Sequence, residues 1–392
     1  MTTNEAVLQY HLSEEQTQIR DVITAFLSDH YDHESRTKIV ASSDRWSSEI
    51  WRAFAEDLGI LGLGLPEAIG GLGGGALDHL LVMDVMGAAL VVEPYLETCV
   101  LAADVLAKST SPAATPLLEG IVAGHVRFAF AAQEKGARYS LSNLATQARR
   151  DDDGWSLSGA KAVVVGLPGA THLLVTARIA SDGEGGGALG AFVVAADHPQ
   201  LKILPGLAID GRTAANVSFG DLRLPGEACL ADGSTGASVI AGAVDKATAA
   251  VCAEAVGIMR RLISDTLGYL EQRKQFGVFL ADFQVLQHRL ADMQTDYEHA
   301  QALAYFAAGM VDVEGREREI AISAAKAEIA TALRRVAQEA VQMHGAMGMT
   351  DELAIGHLFK RATALENQFG SVDFHMERVM RAGGDTSGLA SN

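Results

Sequence analysis

The sequence predicts an α+β chain in three consecutive parts: an N-terminal helical domain over residues 1–124, a central antiparallel β-barrel over 125–235 and a C-terminal helical bundle over 236–380, with a tail at 381–392. Three observations predict it. Apolar residues keep a helical period to about Gly124, give way to short alternating runs, and regain the helical period from about 236. The short runs are punctuated by turn residues roughly every 8 to 12 positions, the spacing of a small antiparallel barrel or sandwich. At 392 residues the chain is also too long for one typical core.

The first helix is the most clearly marked. "SEEQTQIRDVITAFLSDHYD" opens on Ser13 followed by acids and places Ile19, Val22, Ile23 and Phe26 on one helical face. A second helix is expected to about Leu58, ending at "GILGLGLPEAIGGLGGG"; long Leu, Val and Met-rich helices follow. The glycines of that stretch resemble a dinucleotide-binding loop, but no strand-helix-strand unit surrounds them, so a helix-to-helix loop needing positive φ is the expectation. "RFAFAAQ", "GWSLSGAKAVVVG", "HLLVTARI", "GAFVVAA", "LKILPG" and "NVSFGDLRLPG" are the expected strands. The closing "AGGDTSGLASN" reads as a loose tail.

Composition excludes several function classes. A formal net charge of -18 with no clustered Lys or Arg argues against nucleic acid. The longest weakly polar runs fall short of the ~18 to 20 apolar residues of a membrane span, and the start lacks a leader pattern, so a soluble cytoplasmic protein is expected. Cys99, Cys229 and Cys252 are far apart and lack metal-ligand spacing, which predicts free thiols and no metal site.

The stretch "EQRKQFGVFLADFQVLQHRLADM", residues 271–293, concentrates arginine and glutamine beside core-like apolar positions. It resembles the "ERxQFGxPLxxFQxVQxxLADM" signature of the acyl-CoA dehydrogenase family. "LPEAIGGLGGG" at 65–75, "DGWSLSGAKAVV" at 153–164 and "AVQMHGAMGMT" at 340–350 match further motifs, and the resemblance covers about residues 13–380. "VVEPYLETCVLAADVL", "ARYSLSNLAT" and "VCAEAVGIM" are similar to the small-subunit branch typified by the pimeloyl-CoA dehydrogenase small subunit.

The resemblance implies FAD held between the barrel of one subunit and the bundle of another, hence a homo- or hetero-oligomer with a paralogous subunit. It implies an acyl-CoA substrate and electron-transfer flavoprotein as acceptor. Arg273 and Phe276 would meet a neighbour's FAD, Gln284 its adenosine side, and Gln342 with Gly345 its pyrophosphate. A planar guanidinium suits a pyrophosphate better than a lysine would. Ala346 stands where the family has a second glycine.

The family's reaction needs a carboxylate that takes the α-proton while the β-hydrogen leaves as hydride. In "RATALENQFGSVDFH", with Arg361 aligned to the family's arginine, Gly370 occupies the usual Glu position. The minority position, 25 residues before Gln272, is Ala247, followed by Thr248 in place of arginine. Val163 and Val165 replace the tryptophan and hydroxyl that normally neighbour the flavin ring, and the "TEP" turn is Gln133-Glu134-Lys135. Candidate substitute bases are Asp245, then Glu254, then Glu366 or Asp373, each with the alternative of an ordinary helix carboxylate or cap.

Three readings remain open on the sequence. The first is a small subunit completing a partner's FAD site for α,β-dehydrogenation of an acyl-CoA. The second is a self-sufficient dehydrogenase using Asp245, and the third a flavin oxidase or monooxygenase of the same fold. Fatty acid or steroid side-chain degradation fits the first two.

Overall fold

The computed structural model describes residues 12–141, 143–180 and 187–384. The N-terminal helices are α1 (Glu14–His30), α2 (His33–Ala41), α3 (Ser48–Glu56), α4 (Ala76–Ala89), α5 (Ala103–Ala107) and α6 (Ala114–Val122), with a π-helical turn at Leu96–Ala102 leading into α5. Helix α1 starts as expected. Ser13 Oγ accepts from the Gln16 amide at 3.1 Å while the Gln16 side chain accepts from the Ser13 amide, so two otherwise unpaired donors are satisfied. The expected second helix is two, because Ser42 to Trp46 break the chain and Ser47 caps a fresh start through the Ile50 amide at 3.2 Å. The glycine-rich stretch is a helix-to-helix loop, with Gly59, Gly70 and Gly73 at positive φ.

The central strands are β1 (Phe128–Ala131), β2 (Gln147–Asp151), β3 (Gly154–Val165), β4 (His172–Ile179), β5 (Leu189–Ala195), β6 (Lys202–Leu207), β7 (Thr213–Leu224) and β8 (Cys229–Ala231). They form one 8-stranded sheet in the order β6-β7-β3-β2-β4-β5-β8, with β1 also beside β4. Two features correct the expected antiparallel barrel. Strands β1 and β2 both run parallel to β4, the first at Phe128↔His172 and the second at Gln147↔Arg178, so the sheet is mixed. It is also open, since β6 and β8 end it and do not pair with each other. The reason lies in the connections: β1 enters from the helical part and lies along one half of β4, leaving the other half to β2. Trp155, Phe192, Leu157, Val217 and Leu222 fill the sheet's core.

One charged pair lies inside that core. Lys161 Nζ donates to Glu134 Oε1 at 2.6 Å, and Glu134 also accepts from the Thr146 amide at 3.2 Å. Burial pushes the lysine down to about 8 against the pull of its partner. Glu134 thus fastens the loop after β1 to β3.

The C-terminal part comprises α7 (Gly233–Gln272), a hairpin of β9 (Lys274–Gln275) and β10 (Val278–Phe279), then α8 (Gln284–Met310), α9 (Arg316–His344), α10 (Ala354–Asn367) and α11 (Val372–Gly384). Helix α11 therefore runs into the segment expected as tail; residues 385–392 lie outside the described residues. Helix α7 is 40 residues long and packs its middle against α4, where Gly87 and Gly257 let the backbones touch. A Cβ on Gly257 would stand 1.8 Å from the Asp84 carbonyl oxygen. Among the described residues no helix is long and apolar enough to cross a membrane, and no cluster of potential metal ligands occurs. The three thiols are free, as expected.

His79 and His375 are buried, and burial pushes each down to about 3. Both are therefore neutral in the folded protein, whereas in the unfolded chain they take up protons as pH falls below about 6.5. The unfolded state then binds more protons, so stability falls with falling pH between about 6.5 and 3. At about 1.4 kcal/mol per pH unit for each group, the two together should remove roughly 2 kcal/mol between pH 6.5 and 5.5. Urea midpoints across that interval measure it, and replacing His79 and His375 by asparagine should flatten the slope.

Candidate functional site

Arg273 follows the last residue of α7, its amide bonded to the Tyr269 carbonyl at 3.0 Å. One turn back, the Tyr269 ring stacks on His344 with centroids 4.4 Å apart. His344 ends α9, and Gly345 follows at φ 59 with nothing within 4 Å of the place a Cβ would take. That stacking brings the C-terminal ends of α7 and α9 together, so Arg273, Gln342 and Gly345 share one end of the bundle. Gln284, opening α8 directly after the hairpin, is exposed, as is Gln342. None of the side chains of Arg273, Gln284 and Gln342 is engaged in a hydrogen bond or ion pair among the described residues.

The hairpin between them is turned outward. Phe276 sits at φ 53 ahead of Gly277 at φ 86, and its ring is 93 % exposed. Lys274 Nζ lies 4.2 Å from the Phe279 ring centroid. A large aromatic ring held in solvent by a left-handed backbone contributes nothing to this chain's own core. Among the described residues its one ring contact is edge-on to Phe283, 6.4 Å between centroids.

A cavity of about 300 Å³ lies elsewhere, between the sheet, the π-helical turn and α10. Val163 and Val165 at the end of β3, Phe130, Ala208 and Val244 give it apolar walls. Arg138 and Tyr139 come from the loop after β1, and the Tyr139 ring reaches Phe374 at 5.3 Å.

A buried charge network forms part of the cavity lining. Arg361 donates through Nε and Nη2 to both oxygens of Glu254 at 2.6 and 2.7 Å, through Nη1 to Asp210 at 2.8 Å and through Nη2 to Gln368 at 3.1 Å. Arg212 adds a contact to Glu254 at 3.3 Å. Burial alone would raise the Glu254 and Asp210 carboxyls; Arg361 and then Arg212 outweigh it and hold both below the usual range. Arg361 is raised in turn. These carboxylates are ionised and fully engaged, which leaves them poor proton acceptors.

The other sequence candidates are similarly placed. Asp245 is buried, with Oδ1 bonded to Arg378 at 2.9 Å and Oδ2 to Arg318 at 3.0 Å, tying α7 to α9 and α11. Its neighbour Val244 lines the cavity; Asp245 does not. Glu366 accepts from Arg334 at 3.0 Å, and Asp373 is exposed in the first turn of α11. Ala247 is fully buried, and Thr248 Oγ1 is turned back onto the Val244 carbonyl at 2.7 Å.

Gly370 has no room for a side chain. Its φ is 141, and a Cβ would lie 2.5 Å from both His375 Nε2 and Phe374 Cδ1. Neighbouring Phe369 lines the cavity while His375 fills the space behind the glycine.

The sequence reading did not single out Glu97, Asp210 or Arg212. For Glu97 a signal existed: it is a lone acid in the apolar run "YLETCVLAA". Asp210 and Arg212 sit in a loop after β6 with no periodicity to mark them.

Residues 13–124 match the model described as "Acyl-CoA dehydrogenase, N-terminal domain", and residues 234–384 that described as "Acyl-CoA dehydrogenase, C-terminal domain". Acyl-CoA dehydrogenase fadE12 of Mycobacterium tuberculosis (strain CDC 1551 / Oshkosh) is 30% identical over 361 residues, covering 89% of this chain and 91% of that protein. The solved structure of a variant of the Tcur3481-Tcur3483 steroid ACAD superposes with a TM-score of 0.86 at 28% identity, covering 96% of this chain and 99% of that one. A chain of the ChsE4-ChsE5 complex from Mycobacterium tuberculosis gives a TM-score of 0.86 at 24% identity over the same shares, a likeness of fold. With its motifs, its helix-sheet-helix order and a relative at this identity over nine-tenths of its length, the chain belongs to the acyl-CoA dehydrogenase family.

Proposed function

We propose that this chain is the small subunit of a heteromeric, FAD-dependent acyl-CoA dehydrogenase, and that it completes the flavin site of a paralogous partner which carries the catalytic base. The single observation behind this reading is a contrast between two surfaces. The end of the bundle offers Arg273, Gln284 and Gln342 exposed with unengaged side chains, beside the exposed backbone of Gly345, whereas the chain's own cavity has no carboxylate at the usual base positions. Relatives whose names couple two components, one of them a steroid enzyme, are in keeping with it.

The residues at the bundle end fit a dinucleotide. Arg273 supplies a planar charged fork for a pyrophosphate, Gln342 an amide donor, and the open backbone at Gly345 a close approach. Phe276 would lie against the partner, removing from water the ring that this chain leaves exposed. Val163 and Val165 can only pack against a flavin ring bound at this chain's own sheet. When bound, FAD supplies the hydride acceptor for α,β-dehydrogenation of an acyl-CoA. The reading takes electron-transfer flavoprotein as the acceptor and the cytoplasm as the compartment, the latter in keeping with three free thiols. It also takes residues 1–124, 125–235 and 236–380 as the three domains.

Two variants in the reconstituted heteromer test this. Arg273→Lys should weaken FAD retention about tenfold, since a point charge replaces a fork. Asp245→Asn should leave turnover nearly unchanged while lowering the melting temperature, because Arg318 and Arg378 lose their shared partner. A loss of about 10² to 10⁴ in rate with flavin still bound would instead identify Asp245 as the base. Flavin content after gel filtration and dye reduction by acyl-CoA are the readouts.

A further inference from the structure

Two rings join the helix ends that carry the bundle-end donors. Tyr269 stands in the last turn of α7, and its carbonyl accepts the amide of Arg273, one turn further on, at 3.0 Å. Its ring lies on that of His344, with centroids 4.4 Å apart and planes 25° from parallel. His344 is the last residue of α9, and Gly345 follows it directly, its amide bonded to the Gln342 carbonyl. The stack is therefore one helical turn from Arg273 and one peptide bond from Gly345.

The two rings are held differently. His344 is buried, and its Nδ1 lies 2.8 Å from the Ala340 carbonyl, which can only accept; Nδ1 therefore carries the proton, and the ring is fixed to the last turn of α9. Tyr269 is half-buried, and its hydroxyl has no hydrogen-bond partner among the described residues, so its ring is placed by stacking. The end of α7 needs that restraint. Helix ends fray, and Gly268, directly before Tyr269, is a weak helix residue. Arg273 has already left the helix at φ -83 and ψ 124. A planar fork serves a pyrophosphate only at the right angle, and that angle is inherited from the turn behind it.

We propose that Tyr269 and His344 are positioning residues for the FAD pyrophosphate: their stack sets the end of α7 against the end of α9, so that the Arg273 fork and the Gly345 backbone reach the same diphosphate. The proposal rests on the bundle-end reading given above and adds the side chains that order that end. Both rings act through Arg273 and Gly345, and the Tyr269 hydroxyl takes no part.

The test is FAD binding by the deflavinated heteromer, this chain with its paralogue, followed by quenching of flavin fluorescence, with melting temperatures recorded beside it. Tyr269→Leu should weaken FAD binding up to about tenfold, the upper end of what an aromatic pair is worth. Tyr269→Phe keeps the ring and should bind within about twofold of the wild type. His344→Gln removes the other ring and should lose as much as Tyr269→Leu, which keeps the test open where one of the two variants does not fold. Added to Arg273→Lys, Tyr269→Leu should cost less than about threefold more, because an ammonium has no plane to aim, whereas independent residues would multiply their effects. Full multiplication, wild-type affinity in Tyr269→Leu, or a loss in Tyr269→Phe equal to that in Tyr269→Leu overturns the proposal and leaves the role of Arg273 standing. FAD affinity unchanged in Arg273→Lys overturns both.

Discussion

Arg361→Met should cost the fold about 3 to 5 kcal/mol, the usual result of removing one partner from a buried ion network. Arg361 joins three parts of the chain: Glu254 on α7, Asp210 in the loop after β6, and Gln368 after α10. Methionine fills much of the same space but leaves Glu254 with the single distant contact to Arg212 at 3.3 Å, and Asp210 with Arg212 at 4.0 Å. Both carboxylates would then be forced to take up a proton or admit water. The pH profile should change with it. In the wild type both acids are held low, so they stabilise the fold above their ordinary range and that support is lost as pH falls through their depressed values. In Arg361→Met the support is gone at neutral pH, and the variant should regain relative stability on acidification. Urea midpoints for both proteins at pH 7 and pH 4 measure this. A midpoint unchanged at pH 7 would mean that the network carries no fold stability.

Gly370→Glu, which places an acid at the position that the sequence resemblance assigns to the base, should yield a destabilised and inactive protein. The residue sits at φ 141, where side chains are strained, and a Cβ would press on His375 and Phe374 at 2.5 Å. Strain and overpacking together amount to roughly 2 to 6 kcal/mol. Gly370→Ala should show most of the loss, since the Cβ alone makes the clash. Melting temperatures of the two variants and dye reduction with acyl-CoA decide the matter. A Gly370→Glu protein that melts with the wild type and turns over substrate would show that only the carboxylate was missing. The geometry says otherwise: the space for it is filled by His375.

The helix-sheet-helix order was legible because period 3.6 and period 2 are long-range patterns that many residues repeat. Six short runs read as strands correspond to β1, β3, β4, β5, β6 and β7. Strand β2, "QARRD", was not legible, being polar along most of its length, and β8 is 3 residues long. Pairing direction was also hidden, because it depends on where β1 meets β4 and not on any residue's own preference. The break between α2 and α3 lay in "SSDRW", which reads equally as a helix surface until Ser47 is seen capping. At the bundle end, Arg273, Gln284 and Gln342 stand out in the sequence because they belong to contiguous motifs, and the structure leaves all three exposed. The fate of Asp245 and Glu254 was not legible, since each is decided by arginines 73 and 107 residues away in the chain. Glu97 is marked in the sequence only as a lone acid in an apolar run; that it is buried depends on the elements packed around it.

The central claim is that this chain serves a neighbour's flavin and does not house a complete site of its own. The most direct measurement is bound FAD per chain, by absorbance after gel filtration, for the chain expressed alone and co-expressed with its paralogue. The account predicts little flavin and no acyl-CoA-dependent dye reduction for the chain alone, and in the co-purified heteromer one FAD for each pair of unlike chains, lost when Arg273 of this chain is replaced. A chain that alone binds one FAD per copy and dehydrogenates an acyl-CoA would contradict it.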